Sequence, residues 1–159
     1  MSGHVGAEYA IIANPDVSAY LERGLVVYSI DAKCDLLGLD RKELEAYDGV
    51  SARVVTQMAV SLFEQSNAPI ALATTGFAGP RKGDEEVGLV HFAIALENRE
   101  VRHFQVSFGD LGRETVCRRA VQHALLLLTT TVKELRGDTN DSETSAGSRQ
   151  LSDLPATKR

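Results

Sequence analysis

The chain has 159 residues, of which 43% are hydrophobic and 25% are charged, and its formal net charge is −5 at pH 7. This length and balance predict one globular domain, and the acidic charge argues against broad nucleic-acid binding, which needs a basic surface. No uncharged apolar run reaches the roughly 20 residues that span a bilayer, and the N-terminus does not have the pattern of a signal peptide. A cytoplasmic protein is therefore the default, and a small anionic ligand held by one or two local cations stays open.

Hydrophobic spacing predicts strands and helices along the chain, after a first segment that no pattern assigns. Gly38 ends the first helix, and Asp40 with Glu43 forms a capping box for the second. Ser51 opens the third helix, whose apolar residues recur at helical spacing. The short link 97–99 between the last two strands predicts an antiparallel hairpin. The predicted order is strand 24–28, helices 32–37, 41–46 and 51–65, strands 69–74, 87–96 and 101–108, and helix 113–135.

This order predicts a layered α/β domain. Helices lie between separated strands, and the hairpin makes the sheet mixed rather than purely parallel. We expect the domain to occupy residues 1–136. Residues 137–159 are rich in Ser, Thr, Asp and Gly and contain almost no large apolar residues except Leu151 and Leu154. They cannot bury enough surface to offset their ordering entropy, which predicts a disordered polar tail.

The first candidate for chemistry lies at the end of the first predicted strand. It consists of the phenol of Tyr28 and, five residues later near a helix start, the amine of Lys33. Lysine and tyrosine can serve as a general base and a proton relay when burial lowers the lysine pKa. The alternative is a half-buried strand tyrosine beside a solvated lysine.

The second candidate is the loop that follows strand 69–74. Thr75, Gly76 and Gly79 are small residues at the carboxyl end of this strand, where open α/β sheets bind ligands. Small side chains there allow backbone N–H groups to approach an anion. The alternative is an ordinary turn between a strand and a loop.

The third candidate is Arg113, in the first turn of the last helix and directly after Gly112. A helix N-terminus attracts anions, and a positive side chain there is unfavourable to the helix dipole. The arginine is therefore expected to face a phosphate or carboxylate ligand. The alternative is a surface arginine that pairs with Glu114 or Asp110.

Cysteines and histidines do not predict a metal site. Cys34 and Cys117 form no CxxC pair and are expected as free thiols that pack as small hydrophobes. The histidines share no short-range spacing, and no HExxH, P-loop or nucleophile-elbow pattern occurs. The histidines are His4, His91, His103 and His123.

Taken together and in this order, the three candidate segments resemble the CinA C-terminal domain family, which includes the nicotinamide mononucleotide (NMN) amidohydrolases. The resemblance runs through GLVVYS at 24–29 with Lys33, TGFAGP at 75–80 and VGLV at 87–90, and then through Gly112 and Arg113. It covers residues 14–135. The combination of TGxAGP with YSxxxK upstream is its most specific part.

The resemblance implies a three-layer α/β/α domain, a homodimer, that hydrolyses the amide of NMN to nicotinic acid mononucleotide and ammonia. It implies a nucleophilic serine with Lys33 as general base and Tyr28 as its neighbour in the proton relay. It implies no metal and no organic cofactor. The residues that would line the nucleotide site are Thr75, Gly76, Gly79 and Arg113, the last suited to a phosphate.

The nucleophile is where this sequence departs from the family pattern. The family serine lies in a Glu-Ser-Cys-Thr-Gly-Gly motif, and at about that position this sequence reads MSGHVG. Ser2 is the candidate nucleophile, with its own α-amino group as base after removal of Met1. Two hypotheses follow. One is an NMN amidohydrolase that acts through Ser2 or an unidentified nucleophile. The other, favoured on residues alone, is a non-catalytic member that binds a nucleotide as a regulatory protein.

Overall fold

The computed structural model describes residues 7–98 and 100–137. Ser2 and His4, and all of the predicted tail except Gly137, lie outside these residues. No helix within 7–98 or 100–137 is long and apolar enough to cross a bilayer. The elements are α1 (Ala7–Ile12), α2 (Pro15–Ser18), α3 (Ile30–Leu37), α4 (Arg41–Ala46), α5 (Ala52–Glu64), β1 (Ile70–Gly76), β2 (Leu89–Leu96), β3 (Val101–Ser107) and α6 (Arg113–Arg136).

The three strands form one sheet in the order β1-β2-β3, with β2 in the centre. Both pairings are antiparallel, and the predicted hairpin of β2 and β3 is confirmed. In the first pairing Thr75 lies opposite His91, and in the second His91 lies opposite Gln105. These three residues therefore share one face of the sheet.

The strand predicted over 24–28 is wrong. These residues join no sheet in the described part of the chain, so the sheet there is antiparallel rather than mixed. The physical reason lies in their contacts. The carbonyls of Val27 and Tyr28 accept hydrogen bonds from the Lys33 amine, and the side chains of Val26 and Tyr28 are 74% and 78% exposed. The segment therefore has no ladder among the described residues, and most of its side chains face solvent rather than the core.

Helices cover both faces of the sheet, which gives the predicted three layers. The face beneath α5 carries alanines, which allow the helix to approach closely, whereas the face beneath α6 carries larger side chains such as Phe92. The α5-side core includes Val54, Val55, Met58 and Ala59 with Ala71, Ala73, Ala93 and Ala95, and the α6-side core includes Val90, Phe92, Val116 and Ala124.

The helix starts follow the capping residues. The Asp40 carboxylate accepts from the backbone N–H of Glu43, and the Ser51 hydroxyl accepts from that of Val54, as the sequence predicts. Ser29 caps α3, which begins two residues earlier than expected. This cap places Lys33 at the fourth residue of the helix, with its side chain directed back toward residues 27–28.

Candidate functional site

The amine of Lys33 is the most buried charged group of the candidate site. The residue is 7% exposed, and its Nζ donates to the carbonyl of Val27 at 3.0 Å and to that of Tyr28 at 3.5 Å. Burial lowers the pKa of this amine from its usual value. Within the described residues no carboxylate pairs with it, and no hydroxyl or thiol is hydrogen-bonded to it.

The turn between α4 and α5 forms one wall beside this amine. A Cβ atom built on Gly49 would lie 3.5 Å from the Lys33 Nζ, so the glycine backbone packs directly against the amine. The carbonyl of Gly49 accepts a 2.8 Å hydrogen bond from the hydroxyl of Thr75, at the end of β1. Thr75 thus ties the turn to the sheet, and the structure brings Lys33 and Thr75 to the same place.

Gly49 is not among the site residues that the sequence predicts. Its φ is +69° and that of Asp48 is +48°, so two successive residues of this turn adopt the left-handed conformation. Asp-Gly is a typical signal for such a turn. That signal predicts the turn, but the approach of the turn to Lys33 depends on tertiary packing.

Arg113 lies at the other end of the candidate site, at the start of α6. Its Nη1 donates to the carbonyl of Gly79 at 2.8 Å, and its Nη2 donates to the phenol of Tyr28 at 3.3 Å. Its guanidinium carbon lies 5.9 Å from the centre of the Tyr28 ring. Among the described residues it forms no ion pair with Glu114 or Asp110, which was the alternative interpretation.

Tyr28 connects the two ends of the site. Its carbonyl contacts the Lys33 amine, whereas its phenol contacts Arg113. The phenol therefore does not lie in the position that a proton relay directly bonded to Lys33 would need in this structure.

The two loop glycines are fixed by different constraints. Gly76 ends β1, and a Cβ there would lie 2.6 Å from the carbonyl oxygen of Leu89, so the site requires the absence of a side chain. Gly79 has a φ of +87° and offers its carbonyl to Arg113. The structure thus places Gly76 beside Thr75, and Gly79 beside Arg113.

This arrangement combines a base with an anion-binding group. A buried amine of lowered pKa gives up its own proton more easily and can then act as a general base. An exposed guanidinium at a helix N-terminus can bind a phosphate. No group of three or more potential metal ligands occurs within the part of the chain that the structure describes.

Comparisons with known proteins agree on one family. Residues 3–132 match the family model described as the CinA C-terminal domain. The chain is 48% identical over 83 residues to a CinA-like protein of Chlorobium limicola. This match covers 51% of this chain and 19% of that protein. The first three curated relatives are covered over only 19% to 28% of their length.

Two further similarities extend over most of both chains. The nicotinamide-nucleotide amidohydrolase PncC of Escherichia coli is 38% identical over 114 residues, which is 70% of this chain and 68% of that enzyme. The crystal structure of the competence damage-inducible protein A of Klebsiella pneumoniae superposes with a TM-score of 0.73 at 29% identity and covers 81% of each chain.

Proposed function

The chain belongs to the CinA C-terminal domain family, and from this premise we propose that it binds a nicotinamide nucleotide such as NMN and hydrolyses the nucleotide's amide. The observation that carries the proposal is the Lys33 amine, which is buried, lowered in pKa and hydrogen-bonded only to carbonyls among the described residues. The same membership extends the proposal to a cytoplasmic homodimer. Light scattering on the purified chain tests the dimer, and cell fractionation tests the location.

Lys33 would act as the general base. A neutral amine has two N–H bonds and one lone pair. The carbonyls of Val27 and Tyr28 can accept hydrogen bonds from both N–H groups. The lone pair is then free to accept a proton from the attacking hydroxyl. Thr75 would keep the Gly49 wall in place, and thus the position of the amine, through its hydrogen bond to the Gly49 carbonyl.

Arg113 would hold the phosphate of the nucleotide. A guanidinium has five N–H donors, and its contacts with Gly79 and Tyr28 leave others for an anion. These two contacts also fix its orientation at the N-terminus of α6, where the helix dipole favours a negative charge. Tyr28 contacts Lys33 through its carbonyl and Arg113 through its phenol, so one nucleotide lying along Tyr28 would contact both with its opposite ends.

Binding without hydrolysis is the second candidate function. It is favoured by one observation: within residues 7–98 and 100–137 no hydroxyl or thiol is hydrogen-bonded to the Lys33 amine. Ser2, the candidate nucleophile, lies outside the described residues. In this case the pocket would serve a regulatory protein that senses the nucleotide.

Ammonia release from NMN and NMN affinity, both measured on the full chain, separate the two functions. We expect Lys33→Met to lower the rate by about 100-fold or more at nearly unchanged NMN affinity, because a general base contributes roughly that factor. We expect Arg113→Gln to weaken NMN binding about tenfold, as for a lost charge-assisted hydrogen bond. Ser2→Ala tests the nucleophile.

The matched control is Lys42→Met, because Lys42 is an exposed lysine of α4. It should leave both quantities unchanged. Wild-type protein that binds NMN through Arg113 and releases no ammonia would establish the second function. Protein that neither binds NMN nor releases ammonia would refute both.

A further inference from the structure

Two histidines lie side by side on the α5 face of the sheet, next to the site described above, since His91 lies opposite Thr75. His91 is in the central strand β2, and His103 is in the edge strand β3, two residues from Gln105, the direct partner of His91. The Nδ1 atom of His91 is 3.1 Å from the Nε2 atom of His103. The two rings are stacked, with centres 5.3 Å apart and planes inclined by 27°.

The two imidazoles differ in how firmly they are held. His91 is 6% exposed, and its backbone is fixed by ladders on both sides, to Thr75 and to Gln105. His103 is exposed on an edge strand, so its ring can turn at little cost and solvent can reach it. One ring is therefore pre-positioned, and the other is accessible to an incoming ligand.

The separation of the facing nitrogens suits two ligands on one metal ion. Zinc binds histidine nitrogens at about 2.0–2.1 Å, which puts two nitrogens at the tetrahedral angle about 3.3 Å apart. Neither ring has a carboxylate partner among the described residues. The neutral imidazole is the form that binds metals, and the contact between the two ring nitrogens needs a lone pair on one of them.

We propose that His91 and His103 form a two-histidine binding site for a late first-row divalent cation, represented by Zn²⁺, with water in the remaining coordination positions. Imidazole nitrogen suits these ions, and Ca²⁺ and Mg²⁺ prefer oxygen. In the metal-free protein one of the facing nitrogens carries the proton of the hydrogen bond. When the ion binds, that ring moves its proton to its far nitrogen, so both facing nitrogens present lone pairs and no net proton is released.

The test is a titration of the full chain, in reduced and chelator-treated form, with ZnCl₂. Calorimetry gives the affinity, and imidazole ¹⁵N NMR identifies the nitrogens that bind. We expect the Nδ1 signal of His91 and the Nε2 signal of His103 to shift. We also expect His103→Gln to weaken Zn²⁺ binding by about tenfold or more. His103 is exposed, so this variant decides the test even if His91→Gln does not fold.

His123→Gln is the matched control, because His123 packs between Phe92 and Phe108 on the opposite face of the sheet. It should bind Zn²⁺ with the wild-type affinity. The proposal fails if the two nitrogen signals do not move at about 1 mM Zn²⁺. It fails equally if His91→Gln and His103→Gln both keep the wild-type affinity, since the ion would then be bound elsewhere, at His4 or a cysteine.

Discussion

The amine of Lys33 leaves water on folding without gaining a carboxylate partner in the described part of the chain. Its contacts are the carbonyls of Val27 and Tyr28 and the backbone of Gly49. The protonated form therefore loses hydration and gains only dipoles in return. The same burial that makes Lys33 a usable base lowers the stability of the fold whenever the unfolded chain carries the proton.

The stability cost of Lys33 should vanish at high pH. The unfolded chain keeps this proton up to about pH 10.4, whereas the folded protein releases it at a lower pH. Between these values the unfolded state binds more protons, so the free energy of unfolding rises with pH. Measured against Lys33→Met, the wild type should gain about 1.4 kcal/mol for each unit by which folding lowers the pKa.

Urea unfolding of both proteins at neutral pH and above the unfolded pKa measures this difference. Lys42→Met provides the reference, because it removes an exposed lysine, and its difference from wild type should not vary with pH as that of Lys33→Met does. A difference between wild type and Lys33→Met that is equally flat would show that the amine is not desolvated in the folded protein.

At the scale of elements, the backbone of Gly88, directly before β2, packs closely against the backbone of Gly109 in the turn after β3. Gly88 has a φ of +92°, and a Cβ built there would lie 2.2 Å from the Gly109 carbonyl oxygen and 2.5 Å from its nitrogen. Gly88 also donates to the carbonyl of Phe77 and accepts from Phe108. This close approach joins the loop that carries Gly79 to the turn that leads into α6, and therefore holds two parts of the candidate site together.

Gly88→Ala should accordingly destabilise the protein by more than about 3 kcal/mol, since strain in φ adds to a clash with backbone atoms that cannot move aside. Gly109→Ala is the control, because Gly109 has a φ of +75° but nothing lies within 4 Å of its Cβ position. It should cost only about 1–2 kcal/mol. Equal losses on chemical denaturation would contradict the close approach.

Local sequence signals predicted most helices and strands, and the wrong predictions lie where a tertiary contact determines the local structure. The caps at Asp40 and Ser51 are local, and the hairpin follows from a short link, so all three are confirmed. The prediction of a strand over 24–28 was wrong because its β-rich composition carries no information about Lys33. The amine of Lys33 donates hydrogen bonds to the carbonyls of Val27 and Tyr28.

The contacts that assemble the candidate site join residues far apart in the sequence, so no local pattern predicts them. Thr75 and Gly49 are 26 residues apart, and Arg113 and Tyr28 are 85 residues apart. Residue types and loop positions could suggest each candidate separately. The juxtaposition of Lys33 with Gly49 depends on the packing of α3 against α4 and α5, which no spacing in the sequence encodes.

For the molecule as a whole, the three-layer arrangement places histidines on both faces of the sheet. His91 and His103 lie on the α5 side, and His123 lies on the α6 side between two phenylalanines. Burial is the main cause that lowers the pKa of all three, and the charge of His103 adds to the effect at His91. Global stability is therefore linked to pH through groups in separate parts of the core.

The free energy of unfolding should fall as the pH drops through about 6.5. The unfolded chain takes up protons at His91, His103 and His123 there, whereas the folded protein does so only at lower pH, so the unfolded state binds more protons in this window. The loss is complete below the folded pKa values and absent above about 6.5.

A variant with glutamine at 91, 103 and 123 should lose less stability between pH 7.5 and 5.5, as measured by urea unfolding with a chelator present. Folding also lowers the pKa of the carboxylates of Glu85 and Glu100, but both residues are common to the two proteins, so their titration cancels in the comparison. Equal losses in the two proteins would therefore mean that the histidines are protonated as readily in the fold as in the unfolded chain, and that neither core excludes water from them.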